Sequence, residues 1–314
     1  MRKSSWLLAL VLGVFALQAQ ALTTQLSTPL STPKMGELIE VSLDQLHPTQ
    51  AVIGFDQIYY KLGRFADHSP KLFDEYCETN GRGEASRVDD DANLLRAQSF
   101  DCQSPVGTRP KDMKTVVVGP EGVLYLTDGH HTFTAFWDQP GAGPQLKMWV
   151  RVTDDFSDSA DSATFWARMQ QAHKTWLKDG NGQTINPSQL PEHLGLKNMQ
   201  NDPFRSLVYF TRGAAFGKPS SAGITPEFLE FYWGDWLRAQ LNIEPFDLGE
   251  RSGYRKALEA ASDLMVGLPG TALVGNSGFN ARQLGGYSSV NSKELRKTVR
   301  NKLPYVIDYK AAHH

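Results

Sequence analysis

A short polar turn, Asp128-Gly129-His130-His131, carries the clearest candidate chemistry in the 314-residue chain. A carboxylate here can take a proton, orient a histidine or hold a divalent metal, and imidazoles donate hydrogen bonds. Gly129 allows a ligand to approach the main chain closely. A helix that starts here leaves the N–H groups of residues 130–132 unpaired, which favours an anion. The turn predicts a phosphate site with catalytic candidates Asp128, His130 and His131, and with Gly129 and Thr132 as ligand-binding residues.

The same residues also have a purely structural interpretation. Asp-Gly is an ordinary turn sequence. In this interpretation Asp128 is no more than a helix cap, and His131 is a buried core residue. Adjacent histidines cannot share one face of a helix, so the turn lacks the two-histidine spacing of a zinc site. The sequence leaves the cofactor unidentified, with a divalent metal at Asp128 as one candidate.

Local patterns predict the elements that would position this turn. Residues 114–118 (KTVVV) and 123–126 (VLYL) read as the two strands of a hairpin around the turn 119–122. A helix is expected to start at Thr132, directly after the polar turn. The candidate site therefore lies where a strand passes into a helix.

The rest of the N-terminal half mixes strands and helices. Strands are predicted over 38–44 and 146–152, and apolar residues at helical spacing predict a helix over 55–65. Residues 66–112 are polar and too long for a plain loop, so short helices are expected to interrupt them.

Strand patterns stop near residue 155. Helices are predicted over 159–178, 225–241, 251–266 and 292–302. We therefore expect an α+β domain over 38–153 and an α-helical domain over 154–314.

The N-terminus has the pattern of an export signal. Arg2 and Lys3 precede an apolar run over 6–17, and Ala19-Gln20-Ala21 provides small residues at a cleavage site. The alternative is a membrane anchor, but this run is too short to span a bilayer comfortably. We expect a signal peptide over 1–21, a Ser/Thr/Pro-rich flexible lead-in over 22–37, and a periplasmic or secreted mature chain without a membrane span.

Export also affects how the two cysteines, Cys77 and Cys102, are interpreted. An even pair in an oxidising compartment predicts a disulfide. By the chain-entropy model, closing this loop stabilises the fold by about 3 kcal/mol. The alternative is a reactive thiol, although neither cysteine belongs to a C-x-x-C motif or has a histidine close in sequence.

Composition excludes several classes of protein. The chain is 40% hydrophobic and 21% charged, which is typical of a globular protein and excludes collagen-like and wholly disordered chains. Its formal net charge of −2 argues against coating nucleic acid or anionic membrane through bulk charge. A local basic groove remains compatible with this balance.

Three ordered motifs resemble those of the exported ParB-like nuclease family, within the ParB/sulfiredoxin superfamily. The first contains Pro48-Thr49-Gln50, Gly54 and Lys61; the second contains Gly119-Pro120, Tyr125 and residues 128–131; the third contains residues 202–207, Arg212, Glu230-Phe231, Trp233, Trp236 and Arg238. The resemblance covers about residues 41–240.

This resemblance implies a ParB/sulfiredoxin-like α+β domain followed by helices, with Thr49, Gln50 and Lys61 facing the polar turn. It implies a nuclease or phosphohydrolase acting on a phosphate-containing small molecule or nucleic acid. His130 would then stabilise phosphoryl oxygens or act as an acid, and Asp128 would hold a metal or orient a histidine.

The chain departs from relatives within the superfamily in two ways. Thr132 stands where some relatives have a basic residue, and the turn lacks the catalytic cysteine of sulfiredoxin, which excludes that chemistry. Two alternatives stay open: a phosphotransferase similar to the free-serine kinases, or a non-catalytic binding module. Arg205, Arg212 and Arg238 are expected to pair with nearby acids rather than reach the cleft.

Overall fold

The computed structural model of the chain describes residues 33–219 and 226–313. The predicted signal peptide, residues 22–32 of the predicted lead-in, and Thr225 at the predicted start of a helix lie outside the described residues. The described residues belong to one compact unit. Across them, no helix has both the length and the apolar character needed to span a bilayer.

The chain alternates strands and helices up to residue 155 and is mainly helical afterwards. The strands are β1 (Leu38–Ser42), β2 (Leu46–Pro48), β3 (Val52–Ile53), β4 (Ala85–Val88), β5 (Phe100–Cys102), β6 (Lys114–Val118), β7 (Leu124–Asp128), β8 (Lys147–Asp155) and β9 (Gln200–Asn201). The helices are α1 (Phe55–Asp67), α2 (Pro70–Thr79), α3 (His130–Asp138), α4 (Ser162–Gln171), α5 (Pro203–Thr211), α6 (Leu229–Gln240), α7 (Arg251–Gly267), α8 (Ser292–Asn301) and α9 (Leu303–His313). The expectation of a mixed α and β fold with a helical C-terminal region is confirmed.

A mixed five-stranded sheet places the polar turn at the end of β7. Its strand order is β1-β8-β6-β7-β2, with the predicted β6–β7 hairpin antiparallel and β7–β2 parallel. The central strand β6 is buried on both faces: Val116 and Val118 belong to the main core, and Val117 packs with Phe165 and Met169 of α4. A strand covered on both faces explains the continuous apolar run of its sequence.

The predicted disulfide is confirmed. Cys77 on α2 is bonded to Cys102 on β5, and their Cα atoms are 5.6 Å apart. The segment expected to be a loop with short helices contains one full helix, α2, and a small antiparallel pair, β4 and β5. The disulfide joins these two elements to each other.

The helix predicted over 159–178 is wrong at its C-terminal end. The helix stops at Gln171, and His173 takes a left-handed conformation with φ 55°. The following segment is extended, and the Trp176 N–H donates to the Thr49 carbonyl at 2.9 Å. The Trp176 ring packs against Phe231 with 5.2 Å between ring centroids. These tertiary contacts override the helical spacing of the sequence.

Helix α1 connects the two main groups of buried apolar residues. Its Ile58, Leu62 and Phe65 pack with the sheet, whereas Tyr59 and Tyr60 pack with the helices that follow β9. The sequence did not predict α5 or α9, although both contribute to the second group. The domain boundary near residue 153 stays a prediction.

Candidate active site

A cavity of about 730 Å³ opens where β7 passes into α3. Side chains from α1, α2, α5 and α6 complete its wall. Most of the predicted site residues line this cavity: Gln50, Lys61, Asp128, Gly129, His130, His131 and Thr132. The fold therefore brings together residues that are up to 82 positions apart in the sequence.

The N-terminus of α3 carries no side-chain cap. Gly129 is the residue before the helix, with φ 118°, and no side chain accepts from the first turn. The first intrahelical hydrogen bond runs from the Phe133 N–H to the Gly129 carbonyl at 2.8 Å. The N–H groups of residues 130–132 precede this bond, so they have no partner within the helix. A Cβ added to Gly129 would lie 2.7 Å from Lys114 Cγ, so glycine is also required sterically.

The two adjacent histidines each accept a peptide hydrogen bond from the segment between β2 and α1. His130 Nε2 accepts from the Thr49 N–H at 3.1 Å, and His131 Nε2 accepts from the Gly54 N–H at 3.0 Å. Because each Nε2 accepts, the ring proton of each neutral histidine is on Nδ1. The histidines thus hold residues 49–54 against α3.

Burial keeps both imidazoles neutral. It lowers the pKa of His130 to about 3, only partly opposed by Asp128. Burial also lowers the pKa of His131 well below its usual value, and nearby Arg205 lowers it further. At neutral pH both rings are neutral hydrogen-bonding groups, not cations.

Thr49 and Gln50 make contacts within the protein. Thr49 is fully buried and does not line the cavity, and its hydroxyl donates to the Leu126 carbonyl at 2.7 Å. Gln50 lines the cavity, and its side-chain amide donates to the Val52 carbonyl at 2.5 Å. Thr49 therefore fixes β2 against β7 and positions the N–H that His130 accepts.

Two glutamates at the cavity wall each form ion pairs with two cations. Glu75 on α2 pairs with Lys61 and Arg64 of α1. Burial lowers the pKa of Lys61, and the carboxylate of Glu75 opposes this effect. Sequence patterns gave no indication of Glu75, which lies in the segment expected to be mainly loop.

Glu230 on α6 pairs with Arg205 of α5 and with Arg212. The expected pairing of these arginines with a nearby acid is confirmed, and Arg238 likewise pairs with Asp202 at 2.8 Å. Despite this pairing, Arg205 and Arg212 also line the cavity. The third sequence motif includes Arg205, Arg212 and Glu230. Its position in the sequence, after β9, did not predict that these side chains lie beside the polar turn.

Asp128 is the accessible carboxylate of the turn. Its side chain is 61% exposed, and Lys114 Nζ lies 3.6 Å from its carboxylate. Among the described residues, no hydrogen bond joins Asp128 to either histidine. The described residues also contain no group of three or more histidine, cysteine, aspartate or glutamate side chains arranged to hold a metal.

Comparison with known families matches this region of the chain. The sequence profile of the family described as "Putative ParB-like nuclease" matches residues 39–239. The chain belongs to this ParB-like nuclease family. The match includes every residue that lines the cavity, from Gln50 to Phe231, whereas α7, α8 and α9 lie beyond it.

A solved structure shows that the fold is shared. The crystal structure of protein Atu1540 from Agrobacterium tumefaciens is similar with 21% sequence identity and a TM-score of 0.51, covering 81% of this chain and 100% of that chain. At this identity the similarity describes the fold alone. No curated protein matches the chain.

Basic and acidic side chains are nearly balanced around the cavity of this ParB-like protein. Seven basic residues line it: Lys61, Arg109, Lys111, Lys114, Arg205, Arg212 and Lys218. Six acidic residues do so as well: Glu75, Glu78, Asp112, Asp128, Glu227 and Glu230. Along the described wall this differs from the uniformly basic groove that follows a nucleic-acid backbone. The arrangement suits a compact anion better than a long polyanion.

Proposed function

We propose that this ParB-like protein binds a phosphate-bearing ligand at the turn 128–131 and hydrolyses it as a nuclease or phosphohydrolase. The observation that carries the proposal is the uncapped N-terminus of α3, which opens into a cavity of about 730 Å³ walled by Lys61, Arg205 and Arg212. A helix N-terminus attracts phosphate through its free N–H groups and dipole. The volume is within the range of small-molecule sites, about 300–1,000 Å³.

Each part of the cavity has a role in this proposal. The N–H groups of residues 130–132 hold phosphoryl oxygens, and the nearby cations offset their charge. The neutral rings of His130 and His131 donate from Nδ1 and keep residues 49–54 in place. In this proposal His130 is a neutral hydrogen-bond donor and not the acid that the sequence suggested, because a buried neutral imidazole is a poor proton donor at pH 7.

Asp128 is the proposed general base or metal-binding carboxylate. It is exposed at the mouth of the cavity, and a nearby Lys114 keeps a positive charge beside it. A magnesium ion needs only one or two protein carboxylates when the substrate phosphate and water supply its other ligands. Such an ion would stabilise charge on the phosphate and activate water.

The predicted leader extends the proposal to cellular location. The Cys77–Cys102 disulfide is compatible with the oxidising compartment that an exported chain reaches. We therefore place the activity in the periplasm or outside the cell, on a domain of the ParB/sulfiredoxin type.

A non-catalytic binding module is the second candidate. It is favoured by the commitment of both histidine Nε2 atoms to peptide hydrogen bonds. In this alternative the cavity binds the same phosphate-bearing ligand without turnover. A phosphotransferase would differ from both by consuming a nucleotide donor.

Thermal unfolding with candidate ligands tests the binding step. The purified protein is heated with inorganic phosphate, nucleotides or oligonucleotides, with and without Mg²⁺, Mn²⁺ or Zn²⁺. A ligand at 100 times its Kd stabilises the folded state by about 2.7 kcal/mol. We expect Arg212→Gln to weaken this shift and Arg255→Gln, an exposed residue away from the cavity, to preserve it. No shift with any ligand would reject the site.

Turnover separates the two candidate functions. Release of phosphate, cleavage of oligonucleotides and consumption of nucleotides are followed with wild type and Asp128→Asn. The hydrolase proposal expects Asp128→Asn to retain ligand binding and lose turnover. Full activity in this variant would remove Asp128 from the mechanism, and binding without turnover in wild type would support the binding module.

A further inference from the structure

Cations outnumber their paired acids in a cluster of side chains that lies partly in the cavity wall and partly behind it. This cation cluster consists of Lys61, Arg64, Arg205, Arg212 and Lys302, and among the described residues the carboxylates that form ion pairs with it are Glu75 and Glu230. Asp202 and Asp128 also act on Arg205 and Arg212, but their ion pairs are with Arg238 and Lys114. Both glutamates are already shared between two cations each. The five cations of the cluster therefore outnumber the glutamates paired with them by three.

Lys302 contributes a cation without an acidic partner. Its ammonium lies 4.8 Å from the ring centroid of Tyr209 and 5.5 Å from that of Tyr60. No carboxylate of the described residues lies within ion-pair distance of it. Burial, Arg212 and other nearby cations lower its pKa to about 8, while Glu230 opposes the shift.

Tyr209 connects Lys302 to the cavity. Its ring lines the cavity, and the Arg212 guanidinium lies 5.4 Å from the centroid of the same ring. The centroids of Tyr60 and Tyr209 are 6.3 Å apart, and Arg64 lies 5.3 Å from the Tyr60 centroid. The surplus charge therefore lies in the wall against which an anion would bind and directly behind it.

A partly buried surplus of positive charge is unfavourable until an anion balances it. Each additional negative charge on the ligand gains attraction from every cation of the cluster, because the low-dielectric surroundings screen these interactions weakly. At neutral pH a terminal phosphate has a charge near −2, since its second pKa is about 6. An internal phosphodiester carries a single negative charge.

We infer that the cavity selects a dianionic phosphate monoester over a singly charged phosphodiester. This inference rests on the proposed phosphate site and names its substrate class. The substrate would be a small phosphate monoester or the phosphorylated end of a nucleotide or oligonucleotide, not the internal backbone of a nucleic acid. Lys302 acts at a distance, through its charge, and is not a catalytic residue.

Calorimetric titration at pH 7 with methyl phosphate and dimethyl phosphate tests the inference. We expect methyl phosphate to bind at least about tenfold more tightly, which corresponds to one weakly screened charge interaction. Oligonucleotides with and without a 5′-phosphate then distinguish a small ligand from a phosphorylated chain end. Equal affinity for the two methyl esters would overturn the inference while leaving an anion site, whereas binding of neither would reject the proposed function.

Lys302→Met tests the origin of the preference. Methionine retains an apolar side chain against the two tyrosines and removes the charge. The ratio of the two affinities should fall several-fold in this variant and stay unchanged in Lys297→Met, which replaces an exposed lysine of α8, the helix that ends just before Lys302. An unchanged ratio in Lys302→Met would overturn the role of the surplus charge. If that variant does not fold, the wild-type comparison of the two esters still decides the preference.

Discussion

The neutral state of His130 predicts a specific loss of stability in acid. Its pKa is about 3 in the folded protein and about 6.5 in the unfolded chain. As the pH falls below about 6.5, the unfolded chain takes up a proton that the folded protein does not. The free energy of unfolding therefore decreases as the pH falls towards the folded pKa, and is fully retained above about 6.5.

The size of this loss follows from the two pKa values. Each pH unit between them corresponds to about 1.4 kcal/mol, so His130 alone removes about 2 kcal/mol between pH 7 and pH 5. In His130→Gln the side-chain oxygen can still accept from the Thr49 N–H but does not titrate. This variant should lose about 2 kcal/mol less than wild type over the same interval.

Urea unfolding at pH 7, 6 and 5 in phosphate-free buffer measures the effect. Comparing the two proteins cancels the contribution of every other titrating group. His68→Gln, which replaces an exposed histidine, is the matched control and should follow wild type. Parallel dependence of the free energy of unfolding on pH in wild type and His130→Gln would refute the reasoning. It would mean that His130 takes up its proton over the same pH range in the folded protein as in the unfolded chain.

Three further predictions concern stability. Gly129→Ala should lower the free energy of unfolding, measured in urea, by about 1–3 kcal/mol, because φ at this position is 118° and the added Cβ would contact the Lys114 side chain. The control Gly267→Ala should not destabilise the protein, since an added Cβ there has open space around it. Replacing both Cys77 and Cys102 by serine should cost about 2–5 kcal/mol, and a reductant should then no longer lower the melting temperature. Glu230→Gln should cost about 3–5 kcal/mol because it leaves two arginines without their carboxylate, and inorganic phosphate should restore more stability to this variant than to wild type. An equal phosphate effect on the two proteins would contradict the last prediction.

Local sequence patterns determined the elements that carry the site. The β-branched run of β6, the turn after it and the glycine before α3 specify a hairpin followed by a helix, because these preferences act over a few residues. The three motifs also identified the family, which the match over 39–239 confirms. The pairing of the two cysteines followed from their number and from the predicted export signal.

Only the tertiary structure decided how the candidate residues are used. The bonds from His130 and His131 reach back 81 and 77 residues, to Thr49 and Gly54, and no local pattern encodes such contacts. Those bonds and the surrounding burial turn two potential cations into neutral groups. The end of α4 was mispredicted for the same reason, since distant aromatic residues hold Trp176 in an extended segment.

The charge of the site is likewise a property of the fold. In sequence, Lys61, Glu75, Arg205, Glu230 and Lys302 lie on five separate segments and show no common pattern. Folding packs α1, α2, α5, α6 and the end of α8 around one cavity and leaves the cation cluster short of acids. The sequence by itself predicted a polar turn between a strand and a helix as a candidate phosphate site, whereas the packing of these helices decided which charges face that turn, because burial and distance set electrostatic interactions.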